Sequence, residues 1–413
     1  MPRIAHLRRF WDLLGITSTI LFLLSACSTA ENITQTADDI QVEVPEVEVL
    51  DPYQDRREAA IDAALRRMTI EQKIAHLIVL EVPPLRTLEN PKADDLRRFF
   101  TVYYTRADFG GFILFGNNMR SREQLRSLSD ALAAVSDIPA WVMVDEEGGA
   151  ISRITNAGLG EASLPEPRTV GMLSSTETVR GLGVDLGRDL RSLGITMNLA
   201  PVADVSPGGA PRSYGANPTS VAATVVAFAQ GLQSQGVAAV AKHFPGVGAV
   251  VGDPHLGPVS ASITLEELAD RDLPPFRAAV GAGIDGVMTS HVTFDNVCSE
   301  EPAGLSDCVV SDILRGDLGF DGIVITDALN MGAMEAEEAV ALRAIQAGSD
   351  LLLMPPNPEA TVEALLHAVE AGTLTESRID ESLRRILGAK IDRYVWVPED
   401  PVLQDRYEGW IAP

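Results

Sequence analysis

The segment Gly322–Thr326, with the sequence GIVIT, is a short apolar run that is followed at once by an aspartate, Asp327. Apolar residues at consecutive positions are typical of a parallel β-strand that is covered on both faces. Seven further runs of this kind occur, at Leu77–Val82, Gly111–Phe115, Ala140–Val144, Ile195–Leu199, Val237–Ala241, Gly286–Thr289 and Asp350–Met354. Amphipathic stretches separate these runs, so the sequence predicts alternating strands and helices.

Eight strand–helix units predict an α/β fold, a (β/α)8 TIM barrel that forms a single catalytic domain. A doubly wound open sheet is the alternative. Capping-box sequences at Thr69–Gln72, Ser121–Gln124 and Thr264–Glu267 support the helices. About 60 residues follow the last predicted strand, including a predicted helix at Glu376–Arg393, so we expect no second catalytic domain on this chain.

The composition excludes several classes of protein. The 413 residues include 58 acidic and 33 basic side chains, for a formal charge of −25. Nucleic-acid binding needs a basic surface, and so does electrostatic docking on anionic lipid, so we expect neither. Three cysteines are too few for a disulfide scaffold and leave little material for a cysteine-ligated zinc site.

The N-terminus has the pattern of an export signal. Three arginines within the first nine residues precede the apolar run Leu13–Leu24, which is too short to span a bilayer comfortably. The run ends in Leu-Ser-Ala-Cys27, which resembles a bacterial lipobox. We therefore predict a signal peptide at residues 1–26, lipidation of Cys27, and anchoring outside the cytoplasm, at the periplasmic face of a bacterial membrane or the cell surface. An ordinary signal peptide and an uncleaved anchor are the alternatives.

The segment after Cys27 is strongly acidic. It holds eight acidic and no basic residues between Ser28 and Asp55. Low hydrophobicity and self-repulsion predict a disordered tether over residues 27–55. The catalytic domain is then expected over residues 56–395, with a C-terminal tail at residues 396–413.

Two further cysteines, Cys298 and Cys308, are ten residues apart in the sequence. Outside the cytoplasm the redox environment favours disulfides, so we predict that these two cysteines form one. The alternative is a pair of buried free thiols.

Ionisable residues follow five of the predicted strands, where TIM barrels place their active sites. Aspartates follow the third, fourth and seventh strands, and basic or imidazole side chains follow the fifth and sixth. These residues are Asp145, Asp204, Lys242 with His243, His291 and Asp327. The pattern predicts an active site at this end of the barrel.

The loop after the fifth strand, Lys242–His255, has the sequence KHFPGVGAVVGDPH. Its glycines leave the backbone free to bend and to approach a ligand closely. Asp253 could accept a hydrogen bond from one ring nitrogen of His255, which would raise the imidazole pKa and leave the other nitrogen as a general acid/base. A capped turn with a surface histidine is the other interpretation of these two residues.

Several ordered motifs together resemble glycoside hydrolase family 3, in its single-domain bacterial β-N-acetylglucosaminidase (β-hexosaminidase) branch. The resemblance extends from about Met68 to Met354. Its motifs are MTIEQKI, GGFILFGNN, VDEEGGAISR, NLAPVADV, PRSYG, KHFPGVG with DPH, MTSHV and GFDGIVITDALNMGAM. It implies a retaining exo-β-N-acetylglucosaminidase that acts on terminal β-linked N-acetylglucosamine of peptidoglycan fragments.

The resemblance also implies a role for each matching residue. Asp327 matches the nucleophile, His255 the acid/base, and Asp253 its partner in a dyad. The residues that match those holding the sugar hydroxyls are Asp145, Arg153, Arg212, Lys242 and His243. A carbohydrate is the expected partner of a monomeric enzyme, and no cofactor or metal is expected.

The chain departs from the family pattern at two positions. Val247 stands where the family has a second histidine in the glycine loop, and Pro254 stands where it has a small polar residue. Two alternatives therefore stay open: a phosphorolytic β-N-acetylglucosaminidase and a catalytically weak sugar-binding lipoprotein. Less favoured are a metal-dependent hydrolase that uses His243, His255 and His291, and a Schiff-base aldolase that uses Lys242.

Overall fold

The structure, a computed structural model, describes residues 52–83, 91–173, 175–254, 256–298, 301–334 and 338–411. It contains a strand in each of the eight predicted runs. The barrel strands are β1 (Ile78–Glu81), β2 (Gly111–Ile113), β3 (Trp141–Val144), β4 (Met197–Asn198), β5 (Ala238–Phe244), β6 (Gly286–Thr289), β7 (Ile323–Thr326) and β8 (Leu352–Leu353).

All neighbouring barrel strands are parallel, in the order β7-β6-β5-β4-β3-β2-β1-β8. A parallel bridge between Ile325 and Leu351 joins β7 to the residue before β8, so the two ends of the sheet meet. The predicted TIM barrel is therefore confirmed, and the doubly wound open sheet is wrong.

Apart from Glu81 at the end of β1, the residues of the barrel strands are buried, as their apolar runs predict. Every residue of β3, from Trp141 to Val144, is buried, and the same holds for β5. Burying one large aliphatic side chain contributes about 1.5–3 kcal/mol, so burial of these runs stabilises the closed barrel strongly.

Helices surround the barrel. The α-helices are α1 (Pro52–Leu65), α2 (Ile70–Ala75), α3 (Ala93–Tyr104), α4 (Arg122–Ala133), α5 (Arg153–Asn156), α6 (Pro167–Gly171), α7 (Thr176–Ser192), α8 (Pro218–Gln233), α9 (Leu265–Glu267), α10 (Leu273–Gly281), α11 (Glu338–Ala347), α12 (Pro358–Glu370), α13 (Glu376–Asp392) and α14 (Pro401–Ile411). Among the described residues, none of these helices is long and apolar enough to cross a membrane.

Two of the three predicted capping boxes are complete, those of Thr69 and Thr264. At the third, Ser121 accepts a hydrogen bond from the Gln124 backbone as predicted. The Gln124 side chain, however, accepts from the backbone N–H of Arg120 rather than of Ser121. The start of α4 is thus capped by Ser121. The prediction of a complete third capping box is wrong, because the Gln124 side chain does not bond to the Ser121 backbone.

The folded body extends beyond both predicted boundaries. Helix α1 begins at Pro52, inside the predicted tether, and the Tyr53 hydroxyl donates a hydrogen bond of 2.6 Å to Asp392. Helix α14 lies within the predicted tail, and its Trp410 stacks on Tyr394. Tyr53 and Ile61 of α1 and Leu403 of α14 are buried, so apolar contacts extend the folded body past both predicted boundaries. The predicted signal peptide, the rest of the tether and Cys27 lie outside the described residues.

The loop after β6 carries Cys298, which forms a disulfide with Cys308 at the start of a π-helix, Cys308–Asp317. The same loop contributes a short strand, Val292–Thr293, which pairs with Val259–Ser260 at the far end of the loop after β5. The disulfide therefore lies in the segment that supports the end of the glycine-rich loop.

We expect the protein that begins at Ser28 to show no reactive thiol when it is unfolded without reductant. Closing a loop with a sequence separation of 10 stabilises the fold by about 2–3 kcal/mol. Replacing both cysteines with serine should lower the free energy of unfolding by that amount, measured by urea denaturation. Two reactive thiols per chain in the unreduced protein would contradict the disulfide.

Candidate active site

A cavity of about 280 Å³ lies at the carboxyl ends of the barrel strands. This volume is just below the range for small-molecule sites, which begins at about 300 Å³. The polar lining consists of Asp145, Glu147, Arg153, Arg212, Lys242, His243, Asp327 and Asn330. The structure thus brings together the predicted nucleophile and all five predicted sugar-binding residues. A larger groove, about 860 Å³, lies at the opposite end of the barrel and contains none of these side chains.

The segment after β3 forms a tight hairpin of Glu146–Gly148 with Ile151–Ser152. Gly148 has a φ of +103°, and an added Cβ would collide with the Pro165 carbonyl oxygen, so the turn requires glycine. The Glu146 carboxylate accepts hydrogen bonds from Ile154 N (2.8 Å) and Thr155 Oγ1 (2.6 Å) at the start of α5. These bonds hold α5 against the hairpin and bring its first residue, Arg153, to the pocket.

Oppositely charged side chains alternate along one wall of the pocket. Lys242 Nζ lies 2.7 Å from Asp145 Oδ1 and 2.6 Å from Glu147 Oε1. Arg212 donates to both oxygens of Glu147, through Nε and Nη2, at 2.8 Å each. Arg153 Nη2 is 3.8 Å from Asp145 Oδ2, and its Nε has no hydrogen-bond partner among the described residues. This wall presents donors and acceptors suited to hydroxyl groups.

The charges of this wall are fixed by their contacts. Burial alone would raise the pKa of Glu147, but Lys242 and Arg212 outweigh it and lower the pKa to about 2. Burial alone would lower the pKa of Lys242, but Asp145 and Glu147 outweigh it and raise the pKa. A lysine held as an ammonium is a poor amine nucleophile, which argues against the Schiff-base aldolase.

Asp327 follows β7 directly and is partly exposed to the pocket. Its Oδ1 accepts a hydrogen bond of 2.7 Å from Ala328 N. Burial alone would raise its pKa, but His243, His291, this hydrogen bond and Lys242 together lower it below the ordinary value. The carboxylate is therefore ionised at neutral pH, as a nucleophile must be.

His291, after β6, supports the loop that carries Asp327. Its Nε2 lies 3.0 Å from the carbonyl oxygen of Ala328, to which it donates. Burial lowers the pKa of His291, so the imidazole is neutral. Within the described part of the chain, no group of three or more His, Cys, Asp or Glu residues is placed to hold a metal ion.

The predicted acid/base, His255, lies outside the described residues, and the geometry of its dyad with Asp253 stays a prediction. Its neighbours are described. Asp253 is exposed, and the Pro254 carbonyl oxygen accepts a hydrogen bond of 2.9 Å from Ala333 N. Ala333 belongs to the loop that begins at Asp327, so the residue before His255 is bonded to the loop of the predicted nucleophile.

Comparison with known proteins identifies the family of this chain. Residues 69–389 match the glycosyl hydrolase family 3 N-terminal domain. The chain belongs to glycosyl hydrolase family 3. This family 3 enzyme is 36% identical over 281 residues to the beta-hexosaminidase of Stenotrophomonas maltophilia strain K279a, covering 65% of this chain and 82% of that protein.

Two further relatives are similar over more of the chain. The family 3 enzyme is 36% identical over 337 residues to the beta-hexosaminidase LpqI of Mycobacterium tuberculosis, covering 77% of this chain and 82% of that protein. The solved structure of a glycoside hydrolase family 3 beta-N-acetylglucosaminidase from Paenibacillus sp. FPU-7 is 32% identical. It superposes with a TM-score of 0.72 over 83% of this chain and 68% of that one.

Sequence reasoning missed two polar residues of the pocket, Glu147 and Asn330, and left Asp204 without a role. In the motif DEEGG the glutamates Glu146 and Glu147 look equivalent, but the hairpin directs the first toward α5 and the second toward Lys242. The alternation of side chains along an extended segment was the available signal. The sequence also placed Lys242 and His243 just after β5, whereas the strand continues to Phe244 and includes both.

We expect the stability of the family 3 enzyme to depend on the charge of Glu147 in acid. A carboxyl with a lowered pKa in the folded state stabilises the fold above its ordinary pKa and loses that effect as the pH falls toward about 2. Denaturation midpoints should therefore show Glu147→Gln less stable than the parent above about pH 5 and converging with it in stronger acid. A difference that stays constant with pH would contradict this.

Proposed function

We propose that the family 3 enzyme is a retaining exo-β-N-acetylglucosaminidase that removes terminal β-linked N-acetylglucosamine. The observation that carries the proposal is that Asp327, whose pKa is lowered by its neighbours, faces a pocket whose other wall holds ion-paired polar side chains. The beta-hexosaminidase names of the similar proteins favour an N-acetylated sugar. A cavity of about 280 Å³ favours binding of one terminal sugar residue rather than the middle of a chain.

The proposed reaction has two steps. In the first, Asp327 attacks the anomeric carbon to form an ester, while His255 donates its proton to the leaving oxygen. In the second, His255 removes a proton from water, which attacks the anomeric carbon and releases Asp327. The link between Pro254 and Ala333 supports this assignment, because it holds the segment next to His255 beside the nucleophile's loop.

The proposed sugar contacts follow from the partners of each side chain. Arg212 and Lys242 are each held by Glu147, so their remaining N–H groups point in fixed directions. Preorganised donors strengthen transition-state binding because they need no reorganisation during the reaction. Asp145 and His243 add acceptors beside them, and Arg153 adds a donor.

We further propose that the substrate is a peptidoglycan fragment outside the cytoplasm and that the enzyme is a lipid-anchored monomer. The support is the N-terminal sequence, in which the predicted signal peptide at residues 1–26 precedes Cys27 and an acidic segment follows it. Labelling with a radioactive or alkyne-tagged fatty acid tests the anchor. Loss of the label in Cys27→Ala is expected, and retention of it would contradict lipidation.

The second candidate reaction, phosphorolysis, uses the same pocket. A neutral imidazole in place of a second carboxylate repels incoming phosphate less, so phosphate could replace water in the second step. The binding-module alternative was motivated by Val247. In the structure the Val247 N–H donates a hydrogen bond of 2.8 Å to Asp204 Oδ1. The backbone at Val247 is therefore held without a polar side chain, which favours activity.

The test is proton NMR of the first product from p-nitrophenyl N-acetyl-β-glucosaminide, with and without phosphate. A β-anomer released first supports retention, and an α-anomer released first would contradict it. Accumulation of N-acetylglucosamine 1-phosphate would establish phosphorolysis instead. Sugar binding without turnover would establish the sugar-binding lipoprotein.

A further inference from the structure

Asp204 contacts both the sugar-binding wall and the glycine-rich loop, although it does not line the pocket. Its Oδ2 lies 2.7 Å from His243 Nδ1. Its Oδ1 accepts hydrogen bonds from the backbone N–H of His243 at 3.2 Å and of Val247 at 2.8 Å. The carboxylate is buried, with 5% of the residue exposed, so these bonds are not in competition with bulk water.

The contacts of His243 decide which ring nitrogen carries the proton. An ionised carboxylate only accepts hydrogen bonds, so Nδ1 must be the protonated nitrogen. The second contact agrees, because Arg212 Nη2, which only donates, lies 3.5 Å from His243 Nε2. With its proton on Nδ1, the imidazole presents its Nε2 lone pair to the pocket, where it can accept a hydrogen bond from a sugar hydroxyl.

The contact with Val247 fixes the beginning of the segment that ends at His255. Val247 packs partly against the core, and the next glycine, Gly248, approaches the Val205 carbonyl so closely that a Cβ would collide with it. The hydrogen bond of Val247 and the close approach of Gly248 therefore both involve the segment Asp204–Val205. The loop is thus attached at its base to the residue that orients His243.

We propose that Asp204 is a positioning residue with two separable roles, in which one carboxylate oxygen sets the tautomer of His243 and the other anchors the acid/base loop at Val247. The proposal rests on the proposed function for its kinetic consequences. Its structural consequences, a tautomer and a protected amide, do not depend on turnover.

Two substitutions separate the roles. In Asp204→Asn, the backbone N–H groups of His243 and Val247 need an acceptor, so the amide oxygen takes the position of Oδ1. The NH2 group then takes the position of Oδ2 and faces His243 Nδ1. Nδ1 must then become an acceptor and the proton moves to Nε2, while the Val247 anchor is preserved. In Asp204→Ala, both the tautomer control and the anchor are lost.

The expected kinetics differ accordingly. Asp204→Asn should raise KM about tenfold or more, because Nε2 of His243 then carries the proton and can no longer accept a hydrogen bond from a sugar hydroxyl. Its effect on kcat should be smaller. Asp204→Ala should also lower kcat about tenfold or more, because the acid/base loop loses its attachment. Asp189→Asn is the matched control: Asp189 also accepts two backbone N–H bonds, from Glu161 and Ala162, but does not line the pocket, and its kcat and KM should match the parent.

The deciding measurements are ¹⁵N NMR of the histidine rings and hydrogen exchange of the Val247 amide. In the parent we expect the His243 proton on Nδ1 and a protected amide; in Asp204→Asn, the proton on Nε2 and the amide still protected; in Asp204→Ala, fast exchange. A proton that stays on Nδ1 in Asp204→Asn, or an amide equally protected in Asp204→Ala, would overturn the proposal. If these signals change as expected but the parent does not hydrolyse the glycoside, the proposed function fails and the positioning role stands.

Discussion

Replacing Asp327 with alanine is expected to lower kcat/KM for an aryl N-acetyl-β-glucosaminide by about 10⁴-fold or more, because the group that forms the covalent intermediate is removed. Substrate affinity should change far less, since the ion-paired wall opposite Asp327 is intact. Initial rates combined with calorimetric binding of N-acetylglucosamine measure the two effects. Unchanged hydrolysis by Asp327→Ala would show that the activity does not come from this pocket.

A matched pair of variants excludes a purely structural explanation. Asp327→Asn retains the shape and the acceptor for Ala328 N but not the charge, and we expect it to be as inactive as Asp327→Ala. Azide should restore turnover only to the alanine variant, where the small anion fits the space left by the carboxylate and attacks the anomeric carbon. Attack from that side produces an α-glycosyl azide, whereas a β-azide would contradict the position assigned to the nucleophile.

Replacing His255 with alanine is expected to lower kcat by about 10²–10⁴-fold for substrates whose leaving group needs a proton. For a dinitrophenyl glycoside, whose leaving group departs unprotonated, the first step should be nearly unaffected. The ratio kcat/KM for the two classes of leaving group, compared with the parent, measures the difference, because it reports the first step and not the second, in which His255 acts as the base. An equal loss of kcat/KM for both classes would mean that His255 acts in some way other than protonating the leaving oxygen.

Two variants of the same loop serve as controls for that result. Asp253→Asn retains the histidine but removes its charged partner, so we expect a smaller loss and a shift of the basic limb of the kcat/KM pH profile to lower pH. Val251 is exposed on the same loop, and Val251→Ala should leave rates unchanged. A loss in Val251→Ala comparable to that in His255→Ala would indicate a general disturbance of the loop instead.

The barrel could be predicted from the sequence because each of its strands is marked by a pattern of neighbouring residues. A parallel strand covered on both faces must be apolar at consecutive positions, and runs such as Gly286–Thr289 match the observed strand from end to end. The ends of the folded body were less predictable. Asp55 and its acidic neighbours dominate the local charge, but Tyr53 and Ile61 are buried against the rest of the fold.

The pocket residues could be predicted in part. Asp145 and Asp327 were recognisable because they follow strands directly, and the order of motifs then identified Arg153 and Arg212. The network that joins them depends on contacts distant in sequence. Glu147 and Arg212 are 65 positions apart, and Asp204 and His243 are 39 apart. A pattern of neighbouring residues does not show which residues distant in sequence are in contact, so the roles of Glu147 and Asp204 emerged only from the structure.

The central claim is that Asp327 forms a covalent ester with the sugar. A 5-fluoro N-acetylglucosaminyl donor with a good leaving group tests it most directly, because the fluorine slows both steps and the leaving group keeps formation of the ester faster than its hydrolysis. Mass spectrometry of the digested protein should find one added glycosyl group, on the peptide that contains Asp327. Turnover of the donor with no adduct, or an adduct on a different residue, would contradict the account.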